Sequence, residues 1–211
     1  MKAINYLNRI VLTALLTTMT VCTTSAQDII LPLPVKTGGK PLMEALNERK
    51  STKGNYVNKD LDLQTLSNLL WAAYGFNRPD KRTVPSAGNG QELSVYVLLN
   101  NGAYLYDAKE NKLISIADGS FKHLLANQQQ PYVNDVPVHL VYVGNMDKSK
   151  AGRDGILIDT GYISQNVYLF SASNGLGTVA RASFDRKQLP SALKLAEKQE
   201  IVLVQAVGQV E

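Results

Sequence analysis

Cysteine is all but missing from this 211-residue chain, where Cys22 stands alone. One thiol excludes an internal disulfide framework and a cysteine metal cluster. Histidine is almost as scarce, with only His123 and His139, and neither has an acidic neighbour at metal-ligand spacing. Both are read as structural residues, His123 in a short helix and His139 in a strand. No Gly-x-Ser-x-Gly elbow offers a serine nucleophile. No Gly-Lys-Ser/Thr ending makes a P-loop, and no glycine fingerprint follows a strand. Long basic runs and aromatic-interleaved basic patches are lacking too, so no nucleic-acid partner is expected.

What is present is the composition of a packed domain: 45% hydrophobic and 19% charged residues, in a length that suits one domain. The formal net charge is +4. Two of the cations, Lys2 and Arg9, open the chain ahead of the apolar stretch "IVLTALLTTMTV". Small residues in "TSA" then precede Gln27, the arrangement of a secretory signal peptide cleaved after Ala26. Residues 1–26 are therefore expected to be a signal peptide, 27–40 an extended lead-in and 41–211 the folded domain. Cleavage removes Cys22 and leaves a thiol-free exported chain, periplasmic or secreted. A lipid anchor on Cys22 is the competing reading, and Val21 fits it poorly. The apolar stretch is short for a membrane span, and no transmembrane span is expected.

Along the domain, Pro41 opens a helix over 42–50 with Leu42, Ala45 and Leu46 on one face. "LDLQTLSNLLWAAYG" predicts a second helix, with Asp62 as N-cap and Leu61 stapled against Leu66. Leu63, Leu66, Leu70 and Ala73 form its expected buried stripe, and Gly75 ends it. "FNRPDKRTVPSAGNGQ" reads as a long polar loop of the kind that carries binding. The strands "LSVYVLL", "AYLYD" and "KLISI" follow, the last two joined across "AKEN". "SFKHLLANQQ" predicts a short helix and "VPVHLVYVG" a buried strand. The longest helix is expected from Gly155 to about Asn174, capped by Asp154 and ended by Gly175. "GTVARASF" reads as a strand, "RKQLPSALKLA" as a helical turn broken at Pro190, and "EIVLVQAVG" as the final strand. Helices and strands interleave without regular alternation, which indicates an α+β fold.

Three segments invite a chemical reading. In "ERKSTKGNY", Arg49, Lys50 and Lys53 surround the hydroxyls of Ser51 and Thr52, which is either a cationic helix end or an anion site. In "PSAGNGQ", the small residues Ser86, Ala87 and Gly88 let backbone approach a flat ring, and Asn89 can hydrogen-bond its edge; the alternative is an ordinary Asn-Gly turn. In "GLGTVAR", Gly175 and Gly177 lie at a helix exit and Arg181 follows on a strand. Gly161 and Ser164 give the long helix a small-residue face for close packing, either against a second helix or against the sheet. Asp159 on that helix is either an acid/base or, as lone helical carboxylates ordinarily are, a solvated or capping group, and Tyr162 reads as a packing aromatic rather than a proton donor.

Taken together, "ERKSTKGNY", "VPSAGNGQELSVYVL", "DTGYISQNVYLFSASNGLGTV" and "EIVLVQAVGQ" resemble the flavin-dependent nitroreductase superfamily, over roughly residues 40–208. The first resembles that superfamily's opening Arg-Arg-Ser-x-Arg/Lys motif, with Arg49, Ser51 and Lys53 in register. The middle segments "NGAYLYDAKENKLISIADG" and "VPVHLVYVG" are closer to its SagB-type dehydrogenases, which include the azoline oxidases. The resemblance implies a mainly antiparallel central sheet flanked by helices, with a long central helix. It also implies FMN held between two subunits of a homodimer, and ping-pong transfer of two electrons through flavin N5 between a small-molecule donor and acceptor.

The same resemblance places Arg49, Lys50, Ser51 and Lys53 at the phosphate and pyrimidine end of the cofactor. It places Pro85, Ser86, Ala87, Gly88 and Asn89 under its ring, from the partner subunit in many relatives. Gly177 is then near the ring and Arg181 is a second phosphate ligand. No catalytic protein residue and no metal are implied. Azoline-oxidising relatives use a Lys-Tyr pair, and the comparable place here reads Arg153-Asp154, which argues against azole formation. Scarcity of nicotinamide cofactors outside the cytoplasm leaves the electron donor open. Two other readings remain: a flavin-binding protein without turnover, and an exported small-ligand-binding protein without flavin. For the leader, intact-mass measurement of the exported protein is expected to give a chain beginning at Gln27. A lipidated chain beginning at Cys22 is the contrary result.

Overall fold

The computed structural model describes residues 27–211; the expected leader, with Lys2, Arg9 and Cys22, lies outside the described residues. The described chain opens with β1 (Ile29–Ile30), α1 (Leu42–Glu48), α2 (Leu63–Tyr74) and the hairpin β2 (Phe76–Arg78) and β3 (Lys81–Arg82). Three strands follow, β4 (Leu93–Leu98), β5 (Gly102–Asp107) and β6 (Lys112–Asp118), then β7 (Val138–Asn145). The chain closes with α3 (Gly152–Ser173), β8 (Gly177–Arg181), α4 (Gln188–Ala192) and β9 (Gln199–Gly208). Seven strands make one sheet in the order β1-β6-β5-β4-β7-β9-β8. All six pairings are antiparallel. The fold is α+β, as the sequence indicated.

Both faces of the sheet are covered, which explains why β4 and β7 read as continuous apolar runs. Val95, Val97, Leu140 and Tyr142 pack with Leu66, Leu69 and Leu70 of α2 and Ile156, Ile163 and Val167 of α3. Their neighbours Tyr96, Leu98, Val141 and Val143 point the other way, into a layer built from Leu124, Leu125, Val133, Leu189 and Leu193. Period-two alternation is thus present but hidden, because inward and outward residues are equally apolar.

The expected cap of α2 is in place. Asp62 Oδ1 accepts the Thr65 N–H at 2.8 Å and Oδ2 accepts the Thr65 hydroxyl at 2.7 Å. Its buried stripe runs through Leu66, Leu69, Leu70 and Ala73. Leu63 is 46% exposed and does not belong to the stripe. The chain enters through buried Leu61, which takes the place against the core that Leu63 was expected to fill. At the other end, Leu176 N–H donates to Ser171 O at 2.9 Å, and Gly175 adopts φ 67°. That left-handed residue closes α3 in a Schellman-type end.

Several expectations are corrected. α3 begins at Gly152, so Asp154 lies in its first turn rather than at the cap, where it still complements the helix dipole. α4 runs through Pro190, because a first-turn proline lacks only an N–H that has no intrahelical acceptor. The short helix expected at 120–129 is a 3₁₀ turn over Lys122–Leu124. The expected polar loop after α2 contains the hairpin β2–β3. The lead-in is a strap rather than a free extension. β1 pairs with β6, Asn111 Nδ2 donates to Pro32 O at 2.8 Å, and Val35 N–H donates to Asn68 Oδ1 at 2.8 Å. On α1 only Ala45 is buried, while Leu42, Met43 and Leu46 are exposed.

The different fates of Leu69 and Leu63 give a stability test. Leu69→Ala is expected to cost about 2–5 kcal/mol as a core cavity, and Leu63→Ala about 0.5 kcal/mol or less. Urea unfolding midpoints of the two variants check the assignment.

Candidate functional site

The chain leaves α1 one residue earlier than the basic cluster suggests. α1 ends at Glu48, and Arg49 has already turned to φ −56°, ψ 120°. No cation therefore lies in the last turn, so the cluster is not a cationic helix end. Glu48 and Glu44 instead pair with Lys40. Arg49 folds over the ring of Tyr168 on α3, with the guanidinium carbon 5.2 Å from the ring centroid. The Ser51 and Tyr168 hydroxyls are 2.9 Å apart, and the Ala180 N–H donates to the Tyr168 oxygen at 2.9 Å. Tyr168 thus ties the basic segment to the edge strand β8.

The segment is held from the other side too. Thr52 N–H donates to Thr178 O at 2.9 Å and the Tyr56 hydroxyl donates to Thr52 O at 2.9 Å. A Cβ on Gly177 would collide with Val210 and come within 3.1 Å of Thr52. Glycine at 177 therefore allows this close approach of segment and strand. Beside it lies a cavity of about 480 Å³ lined by Glu48, Lys50, Thr52, Tyr168, Gly175 and Thr178. Among the described residues Arg49, Lys50 and Lys53 make no ion pair. Lys50 lines that cavity, and Arg49, Ser51 and Lys53 are its neighbours in the same segment; three cations without an ion pair and a hydroxyl are a donor set that fits a phosphate-bearing group.

Arg181 lies on β8, as expected of a strand residue, and is buried. Its Nε donates to Gln130 Oε1 at 2.7 Å and Nη2 to Leu125 O at 2.8 Å, pinning the 125–130 loop. Only Nη1 is left without a partner. Burial holds its pKa below the ordinary arginine value.

The second group of expected site residues forms a tight loop. Ser86 is extended, Ala87–Asn89 make a 3₁₀ turn, and Gly88 and Asn89 both have φ 56°. Gln91, also left-handed at φ 48°, donates its N–H to Ser86 Oγ at 3.1 Å. Asn89 is already engaged: Nδ2 donates to Asp80 O at 3.2 Å and Oδ1 accepts from Gln91 Nε2 at 3.1 Å. Arg82 lies between the rings of Tyr74 and Phe76, at 4.0 and 4.4 Å, and donates to Gln91 Oε1 at 2.9 Å. Lys150 Nζ donates to Gly88 O at 2.7 Å. Pro85 is exposed and Ser86, Ala87 and Asn89 are half-buried, so the small face of the loop remains approachable.

Beneath the loop, Asp159 is buried with Glu92, which corrects its reading as a solvated or capping acid. Burial, followed by the Glu92 carboxyl beside it, pushes its pKa up to about 6. Tyr162, expected to pack, is 46% exposed, while Ser164 is buried and Gly161 open. Gly161 and Ser164 therefore do not form one shared face.

One chain does not bring all the expected residues together. Asp159, under the 85–89 loop, and Tyr168, beside Ser51, are separated by two and a half turns of α3, about 13 Å of rise. Sequence reasoning missed Tyr168, Arg82, Gln91, Lys150 and Glu92. Tyr168 sits in "VYLF", whose apolar neighbours make it look like core. Glu92 opens a strand, where a charge is ordinarily solvated.

Residues 46–209 match the Nitroreductase family. A Methanocaldococcus jannaschii protein named as a nitroreductase is 31% identical over 172 residues, 74% of this chain and 85% of that protein. Among solved structures, a protein from Ralstonia eutropha JMP134 described as a nitroreductase superposes with a TM-score of 0.80. It is 34% identical and covers 88% of this chain and 90% of that one. The E. coli microcin synthetase McbBCD complex aligns with a TM-score of 0.69 at 21% identity, over 86% of this chain and 78% of that one. At that identity the likeness is one of fold. Within the site itself, Tyr168→Phe removes the Ser51 bond and weakens the hold on β8. It is expected to lower unfolding stability by about 1–2 kcal/mol, read by urea unfolding.

Proposed function

The chain belongs to the nitroreductase family, and on that premise we propose that it is an exported FMN-dependent oxidoreductase acting as a homodimer on small organic molecules. Oxidoreductase chemistry and a bound flavin, FMN or FAD, are the family's ordinary equipment. The observation that carries the finer reading is the group of unpaired cations Arg49, Lys50 and Lys53 around Ser51. A phosphate monoester carries nearly two negative charges at neutral pH. Of the two flavin nucleotides, only FMN ends in such a group.

In this reading Arg49 supplies a planar fork, Lys50 and Lys53 point charges, and Ser51 a hydroxyl steadied by Tyr168. Gly177 keeps the segment against β8. The bound flavin supplies two-electron transfer, accepting from a donor and giving to an acceptor in separate half-reactions. The chain's own part is to bind, orient and tune the charge around it.

The 85–89 loop and the basic segment stand at opposite stretches of α3, about 13 Å apart along its axis. We assign it to the flavin bound by the partner copy. Exposed Leu42, Met43 and Leu46 on α1, with Leu157, Ile158 and Tyr162 on the adjoining α3, support a helix-to-helix interface. A place near the SagB-type branch is supported by the middle strands and by the fold likeness to the microcin complex. Azole formation is not part of the proposal: Arg153, where a Lys-Tyr pair is wanted, is engaged by Glu200 at 3.0 Å.

Residues 27–211, purified with FMN and desalted, are expected to stay yellow. Arg49→Ala with Lys53→Ala is expected to weaken FMN at least tenfold, since a charge-assisted hydrogen bond contributes about 1.5–3 kcal/mol. Fluorescence titration of flavin measures this. A protein that never retains flavin would overturn the cofactor and the site and leave family membership standing.

A further inference from the structure

The buried face of α3 carries one carboxylate, Asp159, directly beneath the 85–91 loop. It meets Glu92, which ends that loop and is 2% exposed. Both Glu92 oxygens and Asp159 Oδ2 are enclosed with no donor among the described residues. The Glu92 carboxyl and the Ala87 N–H of the loop are the neighbours that act on Asp159. Ionised carboxylates are acceptors only, so two of them enclosed side by side without a donor can be joined only through a proton. The fit around Glu92 is tight: a Cβ on Gly90 would lie 2.9 Å from Oε2, and one on Gly155 would lie 3.9 Å from Oε1. Loop and helix start are therefore both seated on this side chain.

Among the described residues no cation pairs with either acid. From α2, Tyr74 is the titratable neighbour of both carboxyls. Arg82 of β3 is stacked on Tyr74 and donates from Nε to Gln91 Oε1 and from Nη1 to Tyr74 O. Lys150, before α3, spends its ammonium on Gly88 O. On α3, Arg153 pairs with Glu200 and Asp154 is exposed.

We propose that Glu92 and Asp159 share one proton, and that this shared proton is a positioning element that clamps the 85–91 loop onto α3. The clamp stands on the enclosure of two unpartnered acids between the loop and the helix; its consequence for flavin rests on the function proposed above. With the proton in place, Asp159 keeps the Ala87 N–H and Glu92 stays bonded to Asp159. Its loss puts two like charges into one enclosed site, and the relief available is movement of Glu92 and the loop away from the helix. The pKa of Asp159 is raised by its surroundings, to about 6. Stability contributed by such a group is complete below its ordinary value of 3.8 and is lost as pH rises through the raised one. The loop is accordingly tight in mild acid and looser above neutrality.

The test uses hydrogen exchange of the 86–92 amides in flavin-free protein, corrected for intrinsic exchange, together with flavin affinity. Both are measured at about pH 5 and about pH 8, either side of the raised pKa. Asp159→Asn keeps an acceptor for Ala87 and gives Glu92 a permanent donor; Glu92→Gln does the same from the other side. The wild-type loop is expected to open tenfold or more at the higher pH, the factor of about one pKa unit, while both variants stay flat. A wild-type loop indifferent to pH, or variants that keep the wild-type response, would overturn the clamp. Should the variants not fold, infrared difference spectra of the wild type decide, because a protonated carboxyl band must disappear as pH rises. A colourless protein with a pH-sensitive loop keeps the clamp and sinks the flavin reading; a yellow protein with a pH-indifferent loop does the reverse.

Discussion

The contact between the inner face of α3 and the sheet is what the rest of the molecule is referred to. That face is not greasy: Gly155, Asp159, Thr160, Ser164 and Ser171 alternate with Ile156, Ile163 and Val167. Small side chains let the helix lie close, and the polar atoms that come with them must be satisfied in the interior. Gln205 of β9 does part of this. It accepts the Tyr142 hydroxyl at 2.7 Å and donates to Ser164 O at 3.3 Å and Thr178 Oγ1 at 3.1 Å. The Thr160 hydroxyl turns back to Ile156 O at 2.7 Å. A helix fixed in this way fixes the place of everything mounted along it.

Two electrostatic centres are mounted along it, and they differ in sign. Near its end Tyr168 organises Arg49 and Ser51, where the cations make no ion pair among the described residues. Near its start Asp159 and Glu92 hold negative charge without a counter-cation. The cations are exposed or half-buried, so water carries their cost until an anion arrives. The acids are enclosed, so a proton has to carry theirs. The first centre leaves its charge open to solvent, and the second has to settle its own.

The loop between β3 and β4 shows how such a site is stiffened without regular structure. The left-handed conformation is open to Gly88 but would be unfavourable in isolation for Asn89 and Gln91. Asp80 O, Ser86 Oγ and the Gln91 amide repay them with hydrogen bonds. Arg82, stacked on two rings, holds Gln91 in turn. The Asn89 amide, expected at the edge of a ligand, also shapes the loop through both of its polar groups.

Local chemistry determined a good deal from the sequence. Asp62 caps its helix, Gly175 ends α3, and the turn at 108–111 joins two strands, because caps and turns depend on a few adjacent residues. The α+β class followed from the order of apolar runs, and the basic cluster and the glycine loop were visible as composition. Tertiary structure alone decided the rest. Leu63 yielded its place to Leu61, Arg181 went inside to hold the 125–130 loop, and Tyr168 became the centre of the basic site. Asp159 met Glu92, a residue it could not be paired with from sequence, since burial and charge pairing depend on partners far along the chain.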